Sequence, residues 1–465
     1  MTRAWSSAYT QRFAEDPAVD PHRSPSPASF VQRTMWSSSQ RFRSSPLFVM
    51  ALPWRVEGRL DLSRLKRAIG ELLMRHPALR TRLVYDQGQL WQVVDRSCDV
   101  EIHCVDVSGA TIQDRRRAAY DLLAMGARTP IDVSASGSFR VWYLRTADDE
   151  GALCFFVHHA LCDGWSSQIM IRELAAFYEA TLSGVDPCLP QLVEQYADLA
   201  RTQHSLEESG AYDRDLLYWR SELEGFSEPV SLAGAIQGNR ARDWGCSSPV
   251  FRLDSPRANA LKAVATRIRV SPFSIYLSCL ALLLSARTKA DDIVVGVPTL
   301  NRRDASLHWV GCATNMLPAR IRIDPSRPLV HLLQQSHATI RRLLVYGRVP
   351  LELILRDRQS GLLAPQLFSV WCQLRKMSEP TVLPRAGVVL SPFVVERGAI
   401  QADLDLDMLE SRGDVSCEFA QRPALIERAA VCELMQGFSA KLSAFAEPER
   451  YSVADAIALG ADSVS

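Results

Sequence analysis

Two adjacent histidines, His158 and His159, end the apolar run Phe155-Phe156-Val157 and precede Ala160-Leu161-Cys162-Asp163-Gly164-Trp165-Ser166. A strand sends neighbouring side chains to opposite faces, so one imidazole can open into a cleft while the other packs. A neutral imidazole with an ordinary pKa of about 6.5 can take a proton from an amine or alcohol, help typically worth roughly 10²–10⁴ in rate. The same residues allow other readings. A histidine pair can begin a zinc site, but no third ligand stands at a usual spacing and a metal needs both rings on one face. Both rings can also serve packing alone. Asp163 can orient a ring, or hold the turn by pairing with an arginine. Gly164 can take a positive φ in a tight turn, and Ser166 can cap a following helix.

The neighbouring patterns supply the elements that must position these groups. The run Leu153–Val157 is apolar throughout, as in a central strand buried on both faces. The spacing of Ile169, Leu174, Ala175 and Tyr178 predicts a helix after Gly164. Upstream, Asp61 caps a helix with Leu62, Leu65, Ile69, Leu72 and Leu73 on one stripe. Strands are expected at Leu79–Val84, Leu90–Val94 and Phe139–Leu144, with a turn at Asp86–Gly88 between the first two. In the second half, Phe251–Leu253 and Ile293–Val297 read as strands and Pro256–Arg267 as a helix. Pro272–Ser285 reads as an apolar helix opened by its proline, whose missing N–H costs nothing there. A charged helical stretch covers Leu206–Leu223. Both halves mix strands and helices without sustained βαβ alternation, which predicts an α+β fold. The expected division is a flexible leader over 1–28, an N-terminal lobe over 29–180, a linking region over 181–235, a C-terminal lobe over 236–450 and a tail over 451–465.

Composition narrows the function classes. The chain has 465 residues with 53 Lys+Arg against 52 Asp+Glu, a net charge of +1. That balance offers no basic field for nucleic acid or an anionic membrane. The 11 cysteines form no CxxC pair or zinc-spaced cluster. No secretory leader or membrane-spanning run is apparent. A reduced, cytoplasmic, monomeric protein without a metal is expected.

Taken whole, His158-His159-x-x-x-Asp163-Gly164 resembles the HHxxxDG signature of nonribosomal peptide synthetase condensation domains. Ser29-Phe30-Val31-Gln32-Arg33-Thr34-Met35-Trp36 resembles the first motif of that family, and Arg75-His76-Pro77-Ala78-Leu79-Arg80-Thr81 the second. Tyr196-Ala197-Asp198-Leu199-Ala200 is similar to the fourth. Val310-Gly311-Cys312-Ala313-Thr314-Asn315-Met316-Leu317-Pro318 is similar to the fifth, and Val349-Pro350-Leu351-Glu352 to the sixth. The order holds over roughly 29–445. Departures stand beside the matches: Cys312-Ala313 replaces the usual Phe-Val, Leu351 replaces an aromatic, and Arg356-Asp357-Arg358-Gln359-Ser360 only loosely echoes the seventh motif.

The resemblance implies two lobes like chloramphenicol acetyltransferase, a V-shaped pseudo-dimer with a central tunnel. It implies a free-standing acyltransferase that forms an amide or ester in antibiotic or other natural-product biosynthesis. The donor would be a phosphopantetheine thioester on an acyl or peptidyl carrier protein acting in trans, with no cofactor bound by this chain itself. The acceptor would be a small molecule or a carrier-bound group. By the same resemblance His159 is the base or positioner of the nucleophile, and His158 is largely structural. Asp163 shapes the site through a salt bridge, with Arg302 as its candidate partner. Gly164 lets the thioester approach the backbone. Trp165, Ser166 and Asn315 are candidates to touch substrate, and Arg75 and Arg80 to hold the fold. Three other readings remain: an epimerisation domain, a coenzyme A-dependent acyltransferase, and a non-catalytic module that recruits a partner.

Overall fold

The apolar run ahead of the histidines is a strand, Glu150–His158, whose last eight residues are all buried. A computed structural model describes residues 18–20, 25–97, 100–226, 228–232, 244–358 and 367–459. In chain order the elements are β1 (Ser26–Pro27), α1 (Phe30–Arg41), β2 (Val49–Glu57), α2 (Leu62–Arg75), β3 (Thr81–Asp86), β4 (Gln89–Val94), β5 (Ile102–Asp106), α3 (Ile112–Ala127), β6 (Phe139–Ala147), β7 (Glu150–His158), α4 (Gly164–Ser183) and α5 (Tyr196–Glu208). There follow α6 (Asp213–Glu222), β8 (Val250–Leu253), α7 (Ser255–Ile268), α8 (Pro272–Thr288), β9 (Asp292–Thr299), β10 (Asn315–Arg322), α9 (Leu329–Tyr346), α10 (Leu351–Asp357) and β11 (Val370–Lys376). The last elements are β12 (Thr381–Leu383), β13 (Val388–Pro392), β14 (Leu404–Ser411), β15 (Asp414–Gln421), α11 (Arg428–Ala444) and α12 (Val453–Ala458).

The chain divides into two units, each mixing helix and sheet. Unit 1 comprises residues 1–211 together with 302–314 and 378–398. Its main sheet has the order β12-β13-β2-β7-β6-β5, and β1-β4-β3 form a smaller one. Central β7 pairs antiparallel with β2 and with β6. Its alternation sends Leu153, Phe155 and Val157 into a core with Leu65, Ile69 and Leu72 of α2 and with Ile169 and Leu174 of α4. Ala152, Cys154 and Phe156 face the other way, onto Ala119, Leu123 and Ala127 of α3. Helices on both faces explain why this strand carries no polar alternation.

Unit 2 has the sheet β10-β9-β11-β14-β15-β8. Its apolar helix α8 opens at Pro272 under a Ser271 cap and is buried over most of its length, packing on α9 and α11. Among the described residues no single helix is long and apolar enough to cross a membrane, although α7 and α8, bent by 104°, pass that test as a pair.

Several sequence expectations change. The leader is not loose at its end: Ser26 and Pro27 pair with Gln92 and Trp91, and Val19, 1% exposed, bridges Asp95. Residues 1–17 and 21–24 lie outside the described residues. The charged stretch expected as one helix is two, α5 and α6, and unit 2 begins between them at Tyr212. The linking region is therefore shared: α5 packs against β1 of unit 1, while Trp219 of α6 donates to the Tyr346 carbonyl of unit 2. Residues 302–314 and 378–398, assigned by sequence to the C-terminal lobe, belong to unit 1. There β13 supplies the partner that β2 lacks on its outer edge.

Candidate functional site

The two rings at the end of β7 are held in opposite tautomers. His158 is 2% exposed. Its Nδ1 accepts the Ala160 N–H at 3.2 Å, so Nε2 carries the proton and donates to Ser39 Oγ at 3.1 Å. Burial first, and the neighbouring His159 second, push its pKa down to about 3. This ring is neutral and structural. His159 opens a 3₁₀ turn, His159–Leu161, and is half-buried. Its Nδ1 lies 2.8 Å from the Cys162 carbonyl. A carbonyl only accepts, so Nδ1 carries the proton and Nε2 presents the lone pair. Among the described residues no hydrogen bond is made to that Nε2. The Cys312 thiol lies 3.7 Å from Nδ1.

Asp163 does not touch the His159 ring through any hydrogen bond among the described residues; its carboxylate is occupied elsewhere. As N-cap of α4 it accepts the Ser166 N–H at 2.8 Å and the Ser166 hydroxyl at 2.7 Å. Arg302 donates to both its oxygens, at 2.9 and 3.0 Å, and the Ala313 N–H donates at 3.0 Å. Both side chains of this ion pair are 0% exposed. Arg302 also donates to the carbonyls of Ser306, Trp309 and Gly311 and lies 4.3 Å over the Trp309 ring. A buried pair of this kind adds modest net stability, yet losing one partner costs about 3–5 kcal/mol because the other charge is stranded. The result is a clamp that fixes residues 302–314 against the start of α4.

The rest of the segment is pinned as tightly. Ser166 Oγ, whose one proton goes to Asp163, lies 2.9 Å from the Gly311 carbonyl and accepts the Gly311 N–H at 3.1 Å. Tyr196 donates to the Cys312 carbonyl at 2.8 Å. A Cβ at Gly311 would meet the Tyr196 ring at 2.3 Å, so only glycine fits.

Other candidate residues take different places from those expected. Gly164 is the first residue of α4, not a positive-φ turn, and a Cβ there would meet open space. The helix cap is Asp163, and Ser166 receives it. Ser166, expected at the substrate, is 0% exposed and wholly engaged in the clamp. Trp165, half-buried, gives its indole N–H to the Leu307 carbonyl at 3.0 Å. Asn315 lies in unit 2 and is held there by three hydrogen bonds. It donates to the Gly347 and Val349 carbonyls and accepts the Leu351 N–H. Its amide shapes the turn before α10, with both N–H groups and one lone pair spent there.

Arg80, 2% exposed, donates to the Leu73 carbonyl at the end of α2 and to the carbonyls of Asp95 and Arg96. Arg75 donates to Glu173 at 2.8 Å, and the His76 Nε2–H to the same oxygen at 2.7 Å. Burial raises the Glu173 pKa, but the hydrogen bond from His76 and the bond and charge of Arg75 outweigh it and hold the carboxyl below its usual range. His76 Nδ1 accepts the Val310 N–H at 3.4 Å, so this second buried network reaches the same segment. Glu173 and His76 were missed from sequence. The signal was available: Glu173 falls four residues after Ile169 and three after Met170, on the apolar stripe of α4, where an acid needs a partner.

Among the described residues no three His, Cys, Asp or Glu side chains converge to hold a metal ion. What the site offers is one imidazole nitrogen with a free lone pair, beside a helix N-terminus whose first residue carries no side chain.

The family model for the condensation domain matches residues 23–456. Phosphinothricin tripeptide synthetase PhsC of Streptomyces viridochromogenes is 29% identical over 358 residues, 74% of this chain and 32% of that protein. The isonitrile lipopeptide synthase of Mycobacterium tuberculosis is 30% identical over 342 residues, 71% of this chain and 13% of that protein. The chain thus spans a third or less of these relatives. Among solved structures, the starter condensation domain of rhizomide synthetase RzmA superposes with a TM-score of 0.77 at 20% identity, covering 92% of this chain and 98% of that one. The first condensation domain of the calcium-dependent antibiotic synthetase gives 0.79 at 19% identity, covering 93% and 98%. With the family model spanning both units, and the paired histidines and the Asp163 clamp lying within it, the chain belongs to the condensation domain family, whose members are acyltransferases of nonribosomal peptide synthesis.

Proposed function

We propose that this chain transfers an acyl or aminoacyl group from the phosphopantetheine thioester of a carrier protein to an amine or hydroxyl acceptor. The product is an amide or an ester of natural-product biosynthesis. One observation carries the reading: the Cys162 carbonyl fixes the proton of His159 on Nδ1, which leaves the Nε2 lone pair without a hydrogen bond among the described residues. The acceptor's nitrogen or oxygen attacks the thioester carbon, and His159 Nε2 takes its proton. The tetrahedral intermediate then collapses, the C–S bond breaks, and the proton passes to the departing thiolate. Gly164, at the N-terminus of α4 and without a Cβ, admits the thioester to a helix end whose N–H groups lack intrahelical acceptors and stabilise developing negative charge. A thioester is already activated, so holding the two substrates in register supplies much of the acceleration. Asp163, Arg302, Ser166 and His158 act by shaping this centre, and the phosphopantetheine comes with the donor.

Acyl-loaded carrier from the same gene neighbourhood, offered amine and alcohol acceptors and followed by mass spectrometry, tests the reading. His159→Ala is expected to lower product formation by about 10²-fold or more while leaving carrier binding intact. A rate equal to the parent's would overturn the assignment. A second reading, a coenzyme A thioester as donor, draws support from the similar fold of a RzmA starter condensation domain variant solved in complex with C8-CoA, TM-score 0.80 at 19% identity. Turnover of a free coenzyme A thioester that no carrier improves would favour it.

A further inference from the structure

We propose that Cys312 is a positioning residue for His159: its thiol closes the Nδ1 edge of the imidazole, shares the Nδ1–H with the Cys162 carbonyl, and so keeps Nε2 as the basic nitrogen. The inference rests on the reading of His159 as the working base and adds the device that holds it.

Three observations converge on it. The sulfur lies 3.7 Å from Nδ1, beside the 2.8 Å bond from Nδ1 to the Cys162 carbonyl, so the ring's protonated edge meets two acceptors, one strong and one soft. The thiol has little freedom to leave, because the backbone on every side of it is tied down. Gly311 is held through both its N–H and its carbonyl, the Cys312 carbonyl by Tyr196, and the Ala313 N–H by Asp163. Cys312 is also 0% exposed, which shuts water away from that edge. Burial first, and the Asp163 charge next, raise the thiol's pKa well above its ordinary value. It therefore stays neutral and does not compete with Nε2 as a proton acceptor, as a thiolate would.

This gives the buried Asp163–Arg302–Ser166 clamp a route to the chemistry. The clamp makes no hydrogen bond to His159 among the described residues, yet it fixes the segment that carries the thiol. A sulfur acceptor suits the task. It is weak enough to leave the bond to the Cys162 carbonyl dominant, and large enough to fill the space beside the ring.

The test compares Cys312→Ala, which removes the acceptor, with Cys312→Ser, which keeps one. Imidazole ¹H–¹⁵N spectra of the full chain, with the His159 signal assigned by its loss in His159→Gln, report the tautomer and the exchange of Nδ1–H with water. The parent is expected to show a single Nδ1–H form in slow exchange. In Cys312→Ala that exchange speeds up at least ~10-fold, whereas Cys312→Ser stays within ~3-fold of the parent. A packing role alone predicts the reverse order, since a buried hydroxyl is harder to accommodate than a methyl. Ring signals unchanged in both variants, or disturbed more by serine than by alanine, would overturn the proposal. The spectra need no substrate, so they separate this inference from the assignment of His159 as base. Loss of turnover in His159→Ala tests that assignment on its own. Where turnover is measured, Cys312→Ala should lower kcat with KM unchanged. Should alanine prevent folding, the serine variant still decides the matter through its exchange rate and tautomer.

Discussion

His158 shows what burial does to one residue and how pH can read it. The folded ring titrates near 3 while an unfolded histidine titrates near 6.5. Between these values the unfolded chain binds the proton and the folded chain refuses it, so stability is full above about pH 6.5 and falls as pH drops toward 3. At about 1.4 kcal/mol per pH unit, the parent should lose roughly 2–3 kcal/mol more than His158→Gln between pH 6.5 and 4.5. Glutamine can still reach Ser39 but carries no titration. Melting midpoints of the two proteins across that range check this, and parallel curves would rule it out. At this scale the sequence is a good guide to residue type and a poor one to burial. The paired histidines, Asp163 and the arginine that meets it could all be picked out. Ser166 and Asn315 could not be told from substrate ligands, because a hydroxyl or amide looks the same in sequence whether it is free or bonded within the protein.

At the scale of elements, β7 decides most of what surrounds it. Its even and odd residues feed two cores, and each core selects its helix. Gly126 of α3 shows how tight one of these contacts is: a Cβ there would come within 2.4 Å of the Phe156 ring. Alanine is the better helix former by about 1 kcal/mol. Overpacking of a closed core costs about 1–3 kcal/mol, and this clash falls on a ring that is 0% exposed. Gly126→Ala is therefore expected to destabilise the protein by about 1–2 kcal/mol in chemical denaturation, despite its helix propensity. Phe156→Leu added to it should give back part of that loss. Stabilisation by the single substitution would contradict the packing described here. Long elements with a one-sided or wholly apolar pattern, such as α2, α8 and β7, were legible in advance within a few residues at either end. The edge strand β5 was not, since none of its five residues is fully buried and its pattern gives no alternation. Helix α3 was also missed. Its buried stripe is made largely of alanines and a glycine, small residues that hardly register as apolar periodicity.

For the whole molecule, the fact hardest to see from sequence is the interleaving of the chain. Local pattern says that a segment is a strand, but not which sheet it will join; β13 adds to the sheet of β2 and β7 although more than three hundred residues separate it from β2. Unit 1 depends on these returns in two ways. Without residues 378–398, β2 has a bare edge of unpaired backbone groups, and Val395 is missing from the core around Phe156. Without residues 302–314, Asp163 keeps a buried charge with no arginine, a loss of about 3–5 kcal/mol by itself, and His76 and Tyr196 lose the Val310 and Cys312 backbone groups they bond. Domains have net stabilities of only about 5–15 kcal/mol, so together these losses exceed what unit 1 can absorb. A fragment of residues 1–211 should therefore lack a cooperative thermal transition and bind a hydrophobic dye, even though it contains both histidines and Asp163. Supplying 302–314 and 378–398 through short Gly/Ser linkers should restore a sharp transition. A cooperative melt by the bare fragment would show that the returning segments decorate a unit already complete, and would remove the clamp from any necessary part in holding His159.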